Sequence, residues 1–141
     1  MNKSCFFCSL VACLAFLLLQ ACQSETEIKR AQFYTNGKSL FTEHCANCHG
    51  EKGEGLGSLY PPLTDTAFLR ANRSRLACLV KYGLHEELIV QQQRFDTEMP
   101  GKPELTEQEI AYILTYLGNS FGNELGLVST EEVNTQLKKC K

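Results

Sequence analysis

Residues 45–49 read Cys-Ala-Asn-Cys-His, and this short stretch decides how the rest of the chain is interpreted. Two thiols three positions apart can each bond to one of the two vinyl groups of a haem, and the histidine that follows can reach the haem iron. Covalent attachment makes the macrocycle part of a hydrophobic core that a small chain cannot easily build alone. The motif therefore predicts one covalently bound haem c, held by Cys45 and Cys48, with His49 as an iron ligand.

Two other kinds of site use a pair of cysteines at this spacing. A zinc site needs two further ligands at comparable spacing, but the chain offers only His44, His49, His85 and the distant Cys78 and Cys140. A thioredoxin-like redox pair follows a strand in a βαβ pattern, whereas here a predicted helix precedes Cys45 and glycines follow His49. The pattern favours haem over both.

The second axial ligand of the iron is predicted to be Met99. It is the only methionine besides Met1, and it precedes Pro100, which restricts the backbone, on a loop before the last long helix. A lone methionine is often only core filling, so this assignment rests on the presence of the Cys-Ala-Asn-Cys-His motif. His85 and His44 are the alternatives, although His44 is adjacent to Cys45 and would therefore lie on the same side of the haem as His49.

The remaining pattern predicts an all-α fold of about four to five helices around the haem. The clearest helix opens at the capping box Thr106-Glu107-Gln108-Glu109 and should stop near Gly118. The other predicted helices cover residues 36–46 with Asn36 as N-cap, 64–69, 74–82, and a short terminal helix from 129. One short β-hairpin is allowed, with Leu88-Ile89-Val90 and Arg94-Phe95 as strands around a Gln91-Gln92-Gln93 turn.

The N-terminus has the three-part layout of an export signal: Lys3, an apolar run, and the stretch that ends at Cys22. The run Phe6–Leu19 is shorter than the roughly 20 residues that a membrane-spanning helix needs. Leu19-Gln20-Ala21-Cys22 resembles the lipobox of bacterial lipoproteins, which implies cleavage before Cys22 and lipid modification of its thiol. We therefore expect a signal peptide at 1–21, a lipid-anchored flexible tether at 22–33 and the folded domain at 34–141. The protein should face the periplasm, on the inner or the outer membrane.

Charge and cysteine count narrow the partners further. The formal net charge is −2 and no stretch gathers lysine and arginine, so nucleic acid is not an expected partner. Of the eight cysteines, three leave with the signal, Cys22 takes lipid, and two belong to the haem motif. Cys78 and Cys140 remain as an even pair in an oxidising compartment, which favours a disulfide over two free thiols.

Taken together, the motifs resemble the monohaem class I cytochrome c pattern over residues 34–121. The residues that carry the likeness are Gly37, Phe41, the motif at 45–49, Pro61-Pro62-Leu63, Met99-Pro100, Ile113 and Tyr116. The resemblance implies that Gly37 and Phe41 meet Ile113 and Tyr116 where the first and last main helices cross. It also implies that the carbonyl of Pro61, or failing that of Pro62, accepts a hydrogen bond from His49, with Leu63 among the haem contacts. The segment after Gly122 is similar to a C-terminal extension in which a cysteine ties back to the middle of the domain.

Histidine and methionine together would fill both axial positions of the iron, which predicts an electron carrier and not an enzyme. Its partners would be protein electron donors and acceptors, with no small-molecule substrate. Two alternatives stay open: a fixed haem subunit of a larger dehydrogenase or oxidase, and a peroxidase-like enzyme if Met99 does not ligate.

Overall fold

The computed structural model describes residues 25–140. The predicted signal peptide and the lipidated Cys22 lie outside these residues and stay predictions. In chain order the elements of the described part are α1 (Glu25–His44), α2 (Ala46–His49), α3 (Thr66–Ala71), α4 (Leu76–Tyr82), β1 (Gly83–Leu84), β2 (Leu88–Val90), β3 (Gln93–Phe95), β4 (Met99–Pro100), α5 (Glu107–Leu117) and α6 (Thr130–Leu137). A 3₁₀ turn, Arg73–Arg75, leads into α4. The predicted all-α class is confirmed, and the helix count exceeds five because the haem motif forms its own short helix, α2.

Helices α1 and α5 cross at Gly37, as the resemblance implied. A side chain at Gly37 would collide with the carbonyl oxygen of Tyr112 and come within 2.8 Å of Cβ of Tyr116. The Phe41 ring packs on the Tyr116 ring at a centroid distance of 5.3 Å. Only glycine permits this approach of two backbones, so the crossing point is set by one residue type.

Helix α1 begins eleven residues earlier than predicted, at Glu25 and not at Asn36. Asn36 is an exposed residue inside the helix and does not cap it. The prediction of a flexible tether is therefore wrong from Glu25 onward. Phe33 is buried and stacks edge-on against Tyr112 at 4.7 Å, and this packing against α5 stabilises a helix whose polar start has little to bury by itself.

The remaining helices lie close to their predicted positions because their ends carry local signals. Thr106 and Glu109 form the full capping box of α5, and Ser129 accepts a hydrogen bond from the amide of Glu132 to start α6. Gly83 ends α4 with a φ of 81°. Helix α3 begins at Thr66, two residues later than predicted, because Asp65 is its N-cap and accepts from the amide of Phe68.

Two short antiparallel pairs complete the described part of the fold. Strand β2 pairs with β3, which confirms the predicted hairpin, but Gln93 belongs to the strand and opposes Val90. The turn is Gln91-Gln92, and both residues have positive φ, 50° and 63°. Strand β1 pairs with β4 in the register Gly83 to Pro100 and Leu84 to Met99, a pairing that no local pattern announces.

The core lies between α1, α4, α5 and α6. Its fully buried members include Ala77, Ile110, Ile113, Leu114 and Val133. Among residues 25–140, no helix combines the length and the apolar character needed to cross a membrane.

Candidate functional site

The haem motif begins where α1 ends. The amide of Cys45 still donates to the carbonyl of Phe41 at 2.9 Å, but the chain then turns into α2, which ends at Gly50 with a φ of 80°. Cys45 and Cys48 are half-buried and neither is in a disulfide. Burial raises the pKa of the Cys45 thiol to about 11, so this thiol is protonated at neutral pH. Because neither thiol is in a disulfide, both sulfurs are available for covalent attachment.

His49 is buried and held in one orientation. Its Nδ1 donates a hydrogen bond to the carbonyl oxygen of Pro61 at 3.0 Å, which confirms the expected partner and makes the Pro62 alternative unnecessary. This bond leaves Nε2 without a proton and free to bind a metal. Burial lowers the pKa of the imidazole, although the Pro61 bond acts in the opposite direction, so His49 is in the neutral form that a metal ligand needs.

The glycine-rich loop after His49 presents Pro61 to the imidazole. The amide of Gly55 donates to the carbonyl of His49 at 2.8 Å, and the amide of Leu63 donates to the carbonyl of Gly53 at 2.8 Å. Both glycines have positive φ, and a side chain on Gly55 would collide with the carbonyl of Tyr60. The loop is thus ordered by backbone bonds that only glycine permits at these positions.

An apolar cleft opens between α2, α4, α5 and the β-hairpins. Its lining is almost entirely apolar. The predicted site residues on this lining are Cys45, His49, Pro61, Leu63 and Met99. An adjoining compartment shares His49, Pro61 and Met99 with the cleft and is also lined by Cys48. The structure thus brings all six predicted site residues to the cleft or to the compartment beside it.

Met99 is part of the lining of this cleft. It lies in β4, paired with Leu84 of β1, and its side chain is half-buried. The alternative ligands His85 and His44 do not line the cleft. His85 is an exposed residue whose Nδ1 lies 2.9 Å from a carboxylate oxygen of Glu98, and His44 lies near Glu43 and Glu104. Among these three side chains, only Met99 lines the cleft that also holds His49.

The comparison with known proteins agrees with this geometry. The family described as Cytochrome c matches residues 34–120. The chain belongs to the cytochrome c family. It is similar to two proteins named cytochrome c-552, both from Thermus thermophilus, the second from a particular strain of that species. Each is 25% identical over 92 residues, or 62% of this chain, and the match covers 70% of the first relative and 62% of the second.

The cofactor of this family is a covalently bound haem c with its iron, and the cleft of this cytochrome fits it. Two unpaired thiols, a neutral imidazole with one free nitrogen and a thioether all border one apolar space. A zinc site is not supported, because residues 25–140 contain no group of three or more histidine, cysteine or acidic side chains able to hold a metal ion.

Asn123 supports this site, although it was not among the predicted site residues. Asn123 is buried, and its side-chain amide donates to the carbonyls of Leu63 at 2.9 Å and Leu117 at 3.0 Å. It therefore joins the loop that carries Pro61 and Leu63 to the end of α5. An asparagine beside Gly122 is typical of an ordinary turn, so the sequence carries no signal of this role.

Proposed function

We propose that this cytochrome c carries single electrons with His49 and Met99 as the two axial ligands of its haem iron. Haem c supplies, when bound, an iron that alternates between the ferrous and ferric states. The observation that carries the proposal is that His49 and Met99 line the same apolar cleft while the other histidines do not.

Cys45 and Cys48 hold the porphyrin in this proposal. Each sulfur bonds to one carbon of a vinyl group and the thiol hydrogen goes to the other carbon, so no group leaves. Pro61 keeps the His49 ring in the orientation and tautomer that directs Nε2 into the cleft. The apolar lining, which includes Leu63, Leu79, Val80 and Leu114, excludes water.

The proposed ligation of the iron by both His49 and Met99 explains why the protein would carry electrons and catalyse no reaction. With imidazole and thioether in place, the iron has no open position for oxygen or peroxide, and thioether ligation raises the reduction potential. The redox partners would then be proteins that donate or accept single electrons, and no small-molecule substrate would be needed.

The test is made on the holoprotein, expressed with the haem-attachment machinery. We expect absorbance of haem that survives denaturation, a weak red band of sulfur-ligated ferric haem, and only weak binding of carbon monoxide to the ferrous form, because Met99 must first leave the iron. Met99→Leu preserves bulk but lacks sulfur, so it should lose the red band and bind carbon monoxide much more tightly than wild type. His85→Ala is the matched control and should change neither property. Absence of covalent haem would overturn the whole proposal, whereas an unchanged Met99→Leu spectrum would remove only Met99.

The proposal includes a lipid anchor at Cys22 that holds the protein on a bacterial membrane, facing the periplasm. It rests on the apolar run Phe6–Leu19 and the lipobox-like Leu19-Gln20-Ala21-Cys22. Labelling of cells with a radioactive fatty acid should mark the wild-type chain and leave Cys22→Ala unmarked. Equal labelling of the two chains would disprove the anchor at this residue.

A further inference from the structure

The C-terminal helix α6 is fastened to the start of α4 through buried groups. The side-chain oxygen of Gln136 accepts a hydrogen bond from the amide of Ala77 at 2.9 Å, and both residues are buried. Ala77 is in the first turn of α4, where amides have no partner within the helix. Gln136 therefore caps α4 from a separate helix.

An arginine clamp lies beside this cap. Arg73, just before α4, donates to both carboxylate oxygens of Glu132 in α6, at 2.9 and 3.0 Å. The same guanidinium donates to the carbonyls of Leu125 at 2.6 Å and Leu127 at 3.2 Å. It thus joins the segment that precedes α4 to the chain that leads into α6.

A disulfide between Cys78 and Cys140 completes the attachment. It joins the middle of α4 to the end of the C-terminal segment, 62 residues later in the chain. Val133 of α6 is fully buried in the same core. The cap and the disulfide act on α4 itself, and the arginine acts on the 3₁₀ turn that leads into it.

Helix α4 in turn holds the segment that carries Met99. It continues directly into β1, which pairs with β4 so that Leu84 opposes Met99. The amide of Lys102 donates to the carbonyl of Val80 at 2.9 Å. The ammonium of Lys81 donates to the carbonyls of Pro103 and Leu105, both at 2.7 Å. The backbone from Met99 to Leu105 is therefore bonded to the end of α4 and to the strand β1 that follows it.

We infer that the Cys78–Cys140 disulfide is a positioning element for Met99, acting through α4 and the β1–β4 pair to keep the thioether against the iron. The inference rests on the proposed ligation by Met99. Without the disulfide, α4 keeps only its noncovalent ties to α6. The same helix carries Leu76, Leu79 and Val80 of the cleft wall, so its displacement moves the wall and the ligand strand together.

The bridge is open to chemical reduction. Cys78 and Cys140 both line a surface groove together with Arg75, Tyr82 and Lys139. A soluble dithiol that enters this groove can transfer two electrons and two protons to the bridge, and is itself oxidised to a cyclic disulfide. The disulfide can therefore be removed in the intact holoprotein without any mutation.

The first test compares wild-type holoprotein with the double variant Cys78→Ser/Cys140→Ser. At a temperature where circular dichroism shows both to be folded, the variant should lose part of the red ferric band. Its ferrous form should bind carbon monoxide about two- to thirtyfold more tightly than wild type. This is the range by which mutations along a network of packed residues typically change the coupling between two sites. Phe33→Leu is the control, because it weakens the core at Tyr112 and does not touch the cleft. It should leave both readouts unchanged.

The second test uses the wild-type chain in case the double variant does not fold. Ascorbate reduces the iron and leaves the disulfide intact, whereas dithiothreitol at increasing concentration reduces both, with bridge opening followed by the mass of alkylated protein. Carbon monoxide should bind more tightly once two alkyl groups are incorporated. Unchanged carbon monoxide affinity after bridge opening, or unchanged affinity together with an unchanged red ferric band in the double variant, would overturn the inference. If Met99→Leu also leaves the spectrum unchanged, it is the ligation by Met99 that has failed.

Discussion

Replacing Gly37 by alanine tests the claim that the crossing of α1 and α5 depends on a missing side chain. The new Cβ would lie 2.6 Å from the carbonyl carbon of Tyr112 and 2.8 Å from Cβ of Tyr116. The carbonyl oxygen of Tyr112 would lie closer still, and ordinary contact begins near 3.4 Å, so the helices must separate by more than about 0.8 Å or bend. The carbonyl group of Tyr112 belongs to the backbone of α5, so no side-chain rotation can relieve the collision.

The cost can be estimated from two opposing effects. Overpacking a core typically costs about 1–3 kcal/mol, and the upper end applies here because the obstructing atoms belong to a helix backbone. Alanine gains about 1 kcal/mol over glycine in a helix interior. Gly37→Ala should therefore lower the free energy of unfolding by about 2 kcal/mol, and the aromatic pair Phe41–Tyr116 should be disturbed.

The assay is guanidinium unfolding of the holoprotein, followed by circular dichroism. Ser39, exposed on the same helix, supplies the matched control, since Ser39→Ala and Ser39→Gly measure the alanine–glycine difference without a steric contribution. We expect alanine to be the more stable residue at 39 and the less stable one at 37. If alanine is at least as stable as glycine at position 37, the close approach is not what requires glycine there.

Two further predictions concern local features of the fold. Hydrogen bonds from the amide and hydroxyl of Thr106 hold the pKa of Glu109 below its usual 4.5. This stabilisation is therefore present above about pH 4.5 and is lost as the pH falls through the lower pKa of the folded state. In unfolding curves, wild type should be more stable than Glu109→Gln at neutral pH, and this difference should shrink on acidification. Gln92→Gly should stabilise the protein by about 0.5–1 kcal/mol, because left-handed backbone costs a non-glycine residue about 1–2 kcal/mol and glycine returns part of this as entropy. Gln93→Gly, in the strand, should destabilise it, and equal effects at both positions would contradict the turn assignment.

Much of the site was predictable because its chemistry is concentrated in short stretches of chain. The motif at residues 45–49 identifies the cofactor as a covalently bound haem. Met99 is the only methionine besides Met1, so it is the one thioether expected as the second ligand. The bond from His49 to Pro61 followed from the family resemblance, and the structure has it at 3.0 Å. The helices that open at Thr106 and Ser129 were predictable for the same reason, since capping residues lie within one turn of the groups they satisfy.

Features that depend on distant partners could not be predicted. Helix α1 extends back to Glu25 because Phe33 packs on Tyr112, and no pattern in residues 25–33 announces that contact. Asn123 has the local pattern of an ordinary turn residue, because its two acceptors, Leu63 and Leu117, belong to other segments.

By itself the sequence determined the cofactor and the means of its attachment, since thiols at fixed spacing and an adjacent imidazole are local covalent chemistry. The tertiary structure alone decided that Gln136 and Arg73 fasten the C-terminal helix to α4, and that α4 holds Met99 in β4. The physical reason is that a hydrogen bond depends on where two atoms end up in space. Groups some 60 residues apart in the chain meet only after the whole core has formed.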